Sequence, residues 1–515
     1  MQRVPAPFKR HTMYIWSLWS LVVVAFVSAC SGGSAPKHIN LIPKDVPMVV
    51  SVDVKQLVSK SVKIEDLFSK ENLQQMGASE KEAEEGSETA KEILNAGVDY
   101  LNKAYIFLNA EESGGLAFAI DDEKKFEAFL NKEDFWKDKT PDKKAFEIKE
   151  AKNMKYAYKE NILVSWSGSN GLVLFQKESS EAEMKAMAVA VFEQKAEATL
   201  MGANKNFKES TGQKYDVALW VDLEKMNALS GGDAGIPEDF SLKNSYVNAL
   251  TTFEKGKVVM DTKYTANEET AQIYEKVSKK GINSKILDNI AIENPVGVIS
   301  LSLNMEGLKE VLKKQGLLGG MDGQLSSRGL SSDDVFKTFS GDIVLVAQSI
   351  EGTIPEFVLA LGVNDMKGFE KIIETAGKGA VSKKDDIYEI QGGLGYILEK
   401  DKAVYMTATA GLKEGIQKGT GKLTKEVTSQ MKDNVMVMYL DETIAEEARN
   451  LPQVRYSPLG GLLGSTPMKG LTISSAKIKG NDIAAEIVID MKDDSKNALM
   501  VLIEDAQKQN KELAQ

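Results

Sequence analysis

One cysteine and two histidines are all the thiol and imidazole chemistry in 515 residues. The cysteine is Cys30, at the end of Val27-Ser28-Ala29-Cys30, so the chain can form no internal disulfide. The histidines are His11 and His38. Two are too few for a metal centre built on several imidazoles, and a histidine-activated nucleophile would have to rest on one of them. His38 lies eight residues beyond Cys30 and reads as a solvated histidine. Carboxylates are abundant, so a glycosidase-type acid pair has material to draw on. The four acids at predicted strand-to-helix junctions, Asp122, Asp222, Asp365 and Asp441, read instead as helix N-caps. Gly419-Thr420-Gly421-Lys422 falls short of a phosphate loop, because Ile416 stands where the first glycine belongs and Leu423 where Ser or Thr belongs. No loop has the acidic spacing of an EF-hand. The reading therefore assigns no catalytic residue, no metal and no cofactor.

Cys30 carries the strongest signal. Arg3, Lys9 and Arg10 precede an apolar run from Met13 to Val27 that ends in small residues, the plan of a secretory signal. The run is shorter than the roughly 20 residues a membrane span needs. A hydrophobic residue, two small ones and a cysteine resemble the lipobox of a bacterial lipoprotein precursor, cut before Cys30 and acylated on its thiol. The resemblance implies a signal over 1–29, a flexible tether over 30–39 and a membrane partner reached through lipid on Cys30, a palmitate-type acyl anchor. Two acyl signals already hold a protein stably on a membrane. No acidic tract follows Cys30. In lipoproteins of the Bacteroidota such a tract favours surface display, so the resemblance implies an outer-membrane lipoprotein on the periplasmic face.

The signal removes three basic residues and no acidic one, taking the net charge from −11 to −14. Such a surface repels nucleic acid. The mature chain is long enough for two domains and a sizeable core. Only Trp136, Trp166 and Trp220 remain in it, little for a sugar-stacking platform.

The elements follow from periodicity. Met48–Val54 is a buried strand, and 71–104 is helical with a charge run from Glu80 to Glu92 along a solvated face. Strands at Tyr105–Asn109 and Leu116–Ile120 lead through Asp121-Asp122 into a helix carrying Phe126, Phe129 and Leu130. Four strands fill 146–175, a helix covers about 180–200, and Tyr215–Val221 leads to Asp222. A hairpin turns at Lys255-Gly256, and a helix spans about 267–279. The order then recurs. Val296–Leu303 matches the first strand, Val358–Val363 leads to Asp365 and a helix with Phe369, and three strands lie between Tyr388 and Thr407. Val435–Leu440 leads to Asp441, and a hairpin turns at Gly480-Asn481. Gly281–Asn294 reads as the linker. Leu116/Leu359, Ala117/Ala360, Asp122/Asp365, Phe126/Phe369, Val49/Val298, Asp222/Asp441 and Gly256/Gly480 correspond in order.

The expected fold is α+β, two similar halves of largely antiparallel sheet with helices packed on it, over 40–285 and 290–510, the second a duplicate of the first. Two loops share Gly-Gly-x-x-Gly: Gly231, Gly232 and Gly235, and Gly460, Gly461 and Gly464 with Leu462 and Leu463 between. These are the candidate binding loops, and Leu317-Leu318-Gly319-Gly320-Met321 reads as a third. The lipobox, Ile42-Pro43-Lys44-Asp45 followed by Val49-Val50-Ser51-Val52-Asp53-Val54, and the strand-Asp-helix units resemble uncharacterised Bacteroidota lipoproteins that share a large domain of unknown function. That resemblance covers most of 38–510 and implies an envelope lipoprotein, with no catalytic residues to carry over. The reading is non-catalytic binding or scaffolding of a protein or envelope-polymer partner. The alternative is a carboxylate-based hydrolase acting on such a polymer.

Overall fold

The computed structural model describes residues 36–60, 69–75, 79–110, 113–136, 144–231, 241–349, 356–384, 386–449 and 467–513. The chain is α+β, and every strand pairing considered below is antiparallel. It forms two compact units. The first takes 1–236, 246–256 and 495–515; the second takes 237–245 and 257–494. The units are thus interleaved in sequence rather than two consecutive stretches.

The strands of the first unit are β1 (Met48–Val52), β2 (Ala104–Ala110), β3 (Ser113–Ala119), β4 (Lys149–Ala151), β5 (Met154–Lys159), β6 (Ile162–Ser167), β7 (Asn170–Gln176), β8 (Val217–Asp222) and β9 (Tyr246–Glu254). They lie side by side as β4-β5-β6-β7-β3-β2-β1-β8-β9. In β1, Val49 and Ser51 are buried while Met48, Val50 and Val52 are half-buried, the period-2 pattern of an inner strand. One face of the sheet packs Val49, Phe107, Leu172, Leu174 and Trp220 against Met184, Ala188 and Val191 of the helix Glu181–Glu193. The other packs Leu116, Phe118 and Trp166 against Phe126 and Leu130 of the helix Glu123–Leu130.

The second unit contains β10 (Lys257–Thr265), β11 (Gly297–Ser302), β12 (Phe339–Ser349), β13 (Glu356–Val363), β14 (Val381–Lys384), β15 (Ile387–Ile390), β16 (Gly395–Lys400), β17 (Ala403–Thr407), β18 (Met436–Asp441), β19 (Met468–Ser475) and β20 (Asp482–Met491). Their order is β14-β15-β16-β17-β13-β12-β11-β18-β19-β20-β10. From β14 to β19 this repeats the order of the first unit strand for strand. The registers agree as well. Val49 stands between Phe107 and Trp220, and Val298 between Val346 and Tyr439. Leu116 faces Val173, and Leu359 faces Met406.

Several places differ from the sequence reading. Gly281–Asn294 is no linker: Ile282, Ile286, Leu287, Ile290 and Ile292 are core of the second unit, around the helix Ser284–Leu287. Ile282, Ile286 and Ile290 recur every fourth residue, a helical stripe hidden by the polar residues between them. Leu317–Met321 is no loop, because a helix runs Leu318–Ser326. β12 escaped the reading altogether. The segment 71–104 is two helices, Lys70–Gln75 and Glu80–Leu94, and the helical pattern stops short of Gly97, whose φ is +76°.

Gly281 also fixes the backbone. Its φ is +61°, a Cβ there would overlap the carbonyl oxygen of Lys432, and its own carbonyl accepts from Ser302 Oγ at 2.8 Å. Gly480 has the same φ of +61° but nothing within 4 Å of a Cβ. We expect Gly480→Ala to cost about 1 kcal/mol, the left-handed strain alone. Gly281→Ala should cost at least about 3 kcal/mol, because backbone must move as well. Urea-unfolding midpoints of the two variants check the ranking.

Candidate functional site

The acids at the strand ends are occupied by the backbone. Asp122 accepts from the amides of Lys124 and Lys125, Asp222 from Lys225, Asp365 from Lys367 and Asp441 from Ile444. Each satisfies an orphan N–H of the helix that begins there. The Glu80–Glu92 run carries surface ion pairs: Lys70 with Glu80 at 3.2 Å and Glu84 at 3.3 Å, and Lys132 with Glu92 at 2.6 Å. Gly419 ends the helix Ala410–Lys418 at a φ of +67°, and a Cβ on Gly421 would meet the carbonyl oxygen of Asp288. The phosphate-loop look-alike is a helix-terminating turn.

Of the two Gly-Gly-x-x-Gly loops only Gly231 is described. It follows the helix Leu223–Leu229 at a φ of +80°, with open space around it. Gly232, Gly235, Gly460, Gly461, Leu462, Leu463 and Gly464 lie outside the described residues, as does Cys30. Trp136, Trp166 and Trp220 are all buried. Among the described residues no group of three or more His, Cys, Asp or Glu could hold a metal ion, and no helix is long and apolar enough to cross a membrane.

The structure assembles a polar seam that the sequence reading missed. It lies in the first unit, where β1 ends and β2 and β8 begin. Ser51 Oγ donates to Tyr215 Oη at 3.0 Å, across 164 residues of chain. Lys103 Nζ lies 4.0 Å from the centre of the Tyr215 ring and 3.8 Å from Asp53 Oδ2. Asp53 Oδ1 accepts from the Gln56 amide at the start of the helix Val54–Lys60. Asp216 Oδ2 accepts from Lys60 Nζ at 2.9 Å and from the Phe253 amide at 2.6 Å. Two buried atoms, Tyr105 Oη and Asp216 Oδ1, have no protein partner.

His38 closes the seam, and here the expectation of a solvated tether histidine fails. It is 1% exposed, on a 3-10 turn Lys37–Leu41 whose Ile39 and Leu41 are also buried. Its Nε2 lies 2.6 Å from the main-chain carbonyl of Lys103. A carbonyl only accepts, so Nε2 carries the hydrogen. The ring stacks at a tilt on Tyr105, 5.5 Å between centres. Burial pushes the imidazole down to about 4, against a smaller upward pull from the Lys103 carbonyl. Burial likewise raises Tyr215 to about 12 and Tyr105 well above its ordinary value, and lowers Lys103, which Asp53 partly offsets. At neutral pH both phenols therefore keep their protons and the imidazole is neutral. The two lysines face two aspartates. The seam is a balanced internal network, with its imidazole already committed to the main chain.

The clue in the sequence was parity. Ser51 stands on the buried parity of a valine strand, and a buried hydroxyl needs a partner. That partner, Tyr215, cannot be named without the β1–β8 register. In the second unit the corresponding residue is Ser300, 1% exposed, opposite Val437 of β18 and opposite Val344 of β12, where β2 has Tyr105. There the charge pair is Lys279 with both oxygens of Asp342 at 2.9 Å.

Lys60 and Asp216 offer the sharpest test of this network. Asp216 is fully buried, so Lys60→Met leaves its carboxylate without a counter-charge. We expect a loss of about 3 kcal/mol. Tyr105→Phe, which removes an unpartnered buried hydroxyl, should leave the stability unchanged or raise it. Chemical denaturation of both variants checks the pair of signs.

Two crystal forms of TP0453 are distantly similar. Form IV shares 11% identity at a TM-score of 0.27, over 44% of this chain and 79% of that one. Form III shares 8% at 0.28, over 49% and 90%. No curated protein matches. A family model, a domain of unknown function called DUF4836, matches residues 38–499, from the buried histidine to the last helix. The chain belongs to the DUF4836 family.

Proposed function

We propose that this is a lipid-anchored cell-envelope protein, held through acyl chains on Cys30, whose role is non-catalytic binding or scaffolding. The observation that carries the second half is His38. It is the one imidazole left after the proposed signal cleavage, and it is buried, neutral and bonded to a main-chain carbonyl. General acid or base work near neutral pH needs a group poised to exchange a proton there. The strand-end acids cap helices, and all three mature tryptophans lie in the core. Both facts weigh against a carboxylate hydrolase that stacks sugars.

The first half rests on the lipobox-like stretch and the apolar run before it. The proposed location is the periplasmic face of the outer membrane, in the manner of Bacteroidota lipoproteins. We also propose that the two halves arose by duplication, supported by the shared strand order and register. The proposed partner is a protein or an envelope polymer, because a mature charge of −14 disfavours nucleic acid.

Metabolic labelling with a fatty-acid probe tests the anchor. Wild type should take the label, and Cys30→Ala should take none and accumulate as uncut or mislocalised precursor. Equal labelling of both would overturn the lipoprotein reading.

A further inference from the structure

The chain between Cys30 and the first strand is not all tether. The turn Lys37–Leu41 is seated on the first unit by His38, Ile39 and Leu41, each no more than 7% exposed. Just beyond it Ile42 is fully buried, and its carbonyl accepts from the Leu200 amide at 2.9 Å. Within the turn, the Ile39 amide donates to Pro36 and the Ile42 amide to Ile39. The Gln194 side chain holds the Asn40 carbonyl at 2.7 Å. Every polar contact of the seat except that of His38 is indifferent to pH.

We propose that the Lys37–Leu41 turn is an acid-released latch between the anchor and the fold: a proton on the His38 ring unseats the turn while the strands of the first unit stay paired. The proton goes to Nδ1, since Nε2 already carries the hydrogen that the Lys103 carbonyl accepts. The ring then becomes a cation in an apolar seat. The elements packed most closely on the turn are β3, β7 and the helix Leu200–Ala203, and none brings a titratable side chain; the helix Glu181–Glu193 reaches it through the uncharged Gln194. β2 brings Tyr105, which keeps its proton, and before it lies Lys103, itself a cation. Asp53, the carboxylate of the seam, faces Lys103. Among the described residues no counter-charge therefore meets the imidazolium, and leaving the seat is its route to water.

The direction follows from linkage. The seated ring, at about 4, lies below the ordinary 6.5 of a free histidine. The open state binds the proton first, so the seat is at full strength above pH 6.5 and weakens as pH falls towards 4. From pH 7.4 to 5.0 the open fraction should rise on the order of 25-fold. Release frees five residues, adding roughly 16 Å of reach at about 3.3 Å per residue. That consequence for the anchor rests on the lipoprotein reading; the latch itself does not.

Amide hydrogen exchange on the purified full chain tests it, with protection factors corrected for intrinsic rates. Protection at Ile39 and Ile42 should fall about 25-fold between pH 7.4 and 5.0, while β1 amides hold theirs. His38→Gln should abolish this pH dependence. If that variant is open at both pH values, the wild-type midpoint decides, and it must fall between pH 4 and 6.5. Unchanged protection at Ile39 and Ile42, a parallel loss in β1, an equal fall in His38→Gln or a midpoint outside that window would each overturn the latch. Repeating the measurement on Cys30→Ala separates the two ideas, since that chain lacks the acylated thiol but keeps the seat.

Discussion

Everything in each unit hangs on a central strand whose two neighbours come from far along the chain. β1 pairs with β2 on one side and β8 on the other, so its five residues are held by segments that begin 52 and 165 residues after β1 ends. Both backbone edges are used, and the only remaining freedom is which parity faces which layer of helices. That parity puts Val49 among Phe107, Leu172 and Trp220. It equally commits Ser51 to the interior, two residues further on. A slip of one residue would turn Val50 and Val52 to the layer that now holds Val49, and it would separate Ser51 from Tyr215. Apolar packing and the single hydroxyl pair therefore specify the same register.

Seen this way, the polar seam is what an interior looks like where strands begin and end. Ladder hydrogen bonds stop at Val52, and the groups beyond must find other partners. The Asp53 amide turns to the Asp216 carbonyl at 2.8 Å, and the Asp53 side chain turns to the first turn of the next helix. In the second unit the Ser302 amide turns to the Val435 carbonyl, also at 2.8 Å. The backbone solution is the same, with a serine in place of the aspartate. Charged side chains are then added where water is scarce, and each has to arrive with its opposite: Lys60 with Asp216, Lys103 with Asp53, Lys279 with Asp342.

What was legible in the sequence was local. The strand at Met48, the capping aspartates, the apolar helix faces with Phe126 and Phe369, and the hairpin glycines Gly256 and Gly480 all announce themselves within a dozen residues. β12 was not legible. Its alternation is Ile343, Val344, Leu345, Val346, with apolar residues on both parities, so it lacks the polar-apolar beat that marks a half-exposed strand. The linker error had a similar root. Three polar or charged positions at Asn283–Lys285 and two at Asp288–Asn289 looked solvated, while Ile282, Ile286 and Ile290 around them were core. The seam was illegible for a different reason: apart from the local bond between Asp53 and Gln56, its contacts join residues 37 to 164 apart, and nothing in either partner's neighbourhood names the other.

His38 shows what an argument from counting can leave out. Two histidines are too few for a metal centre built on several imidazoles, and that much needs no structure. Placing the surviving histidine in a solvated tether assumed that a chain stays loose until its first strand. It does not, because Ile39, Leu41 and Ile42 are three apolar residues in four, and burying each contributes about 1.5–3 kcal/mol. That is enough to carry a neutral imidazole inside with them, provided its N–H finds an acceptor, which the Lys103 carbonyl supplies at the edge of β2. The same energy is insufficient to make a buried imidazolium comfortable, since among the described residues no carboxylate shares the seat. A segment that folds only while its histidine is neutral is a consequence of those two terms, and it places the pH-sensitive point of the first unit where the chain enters the fold.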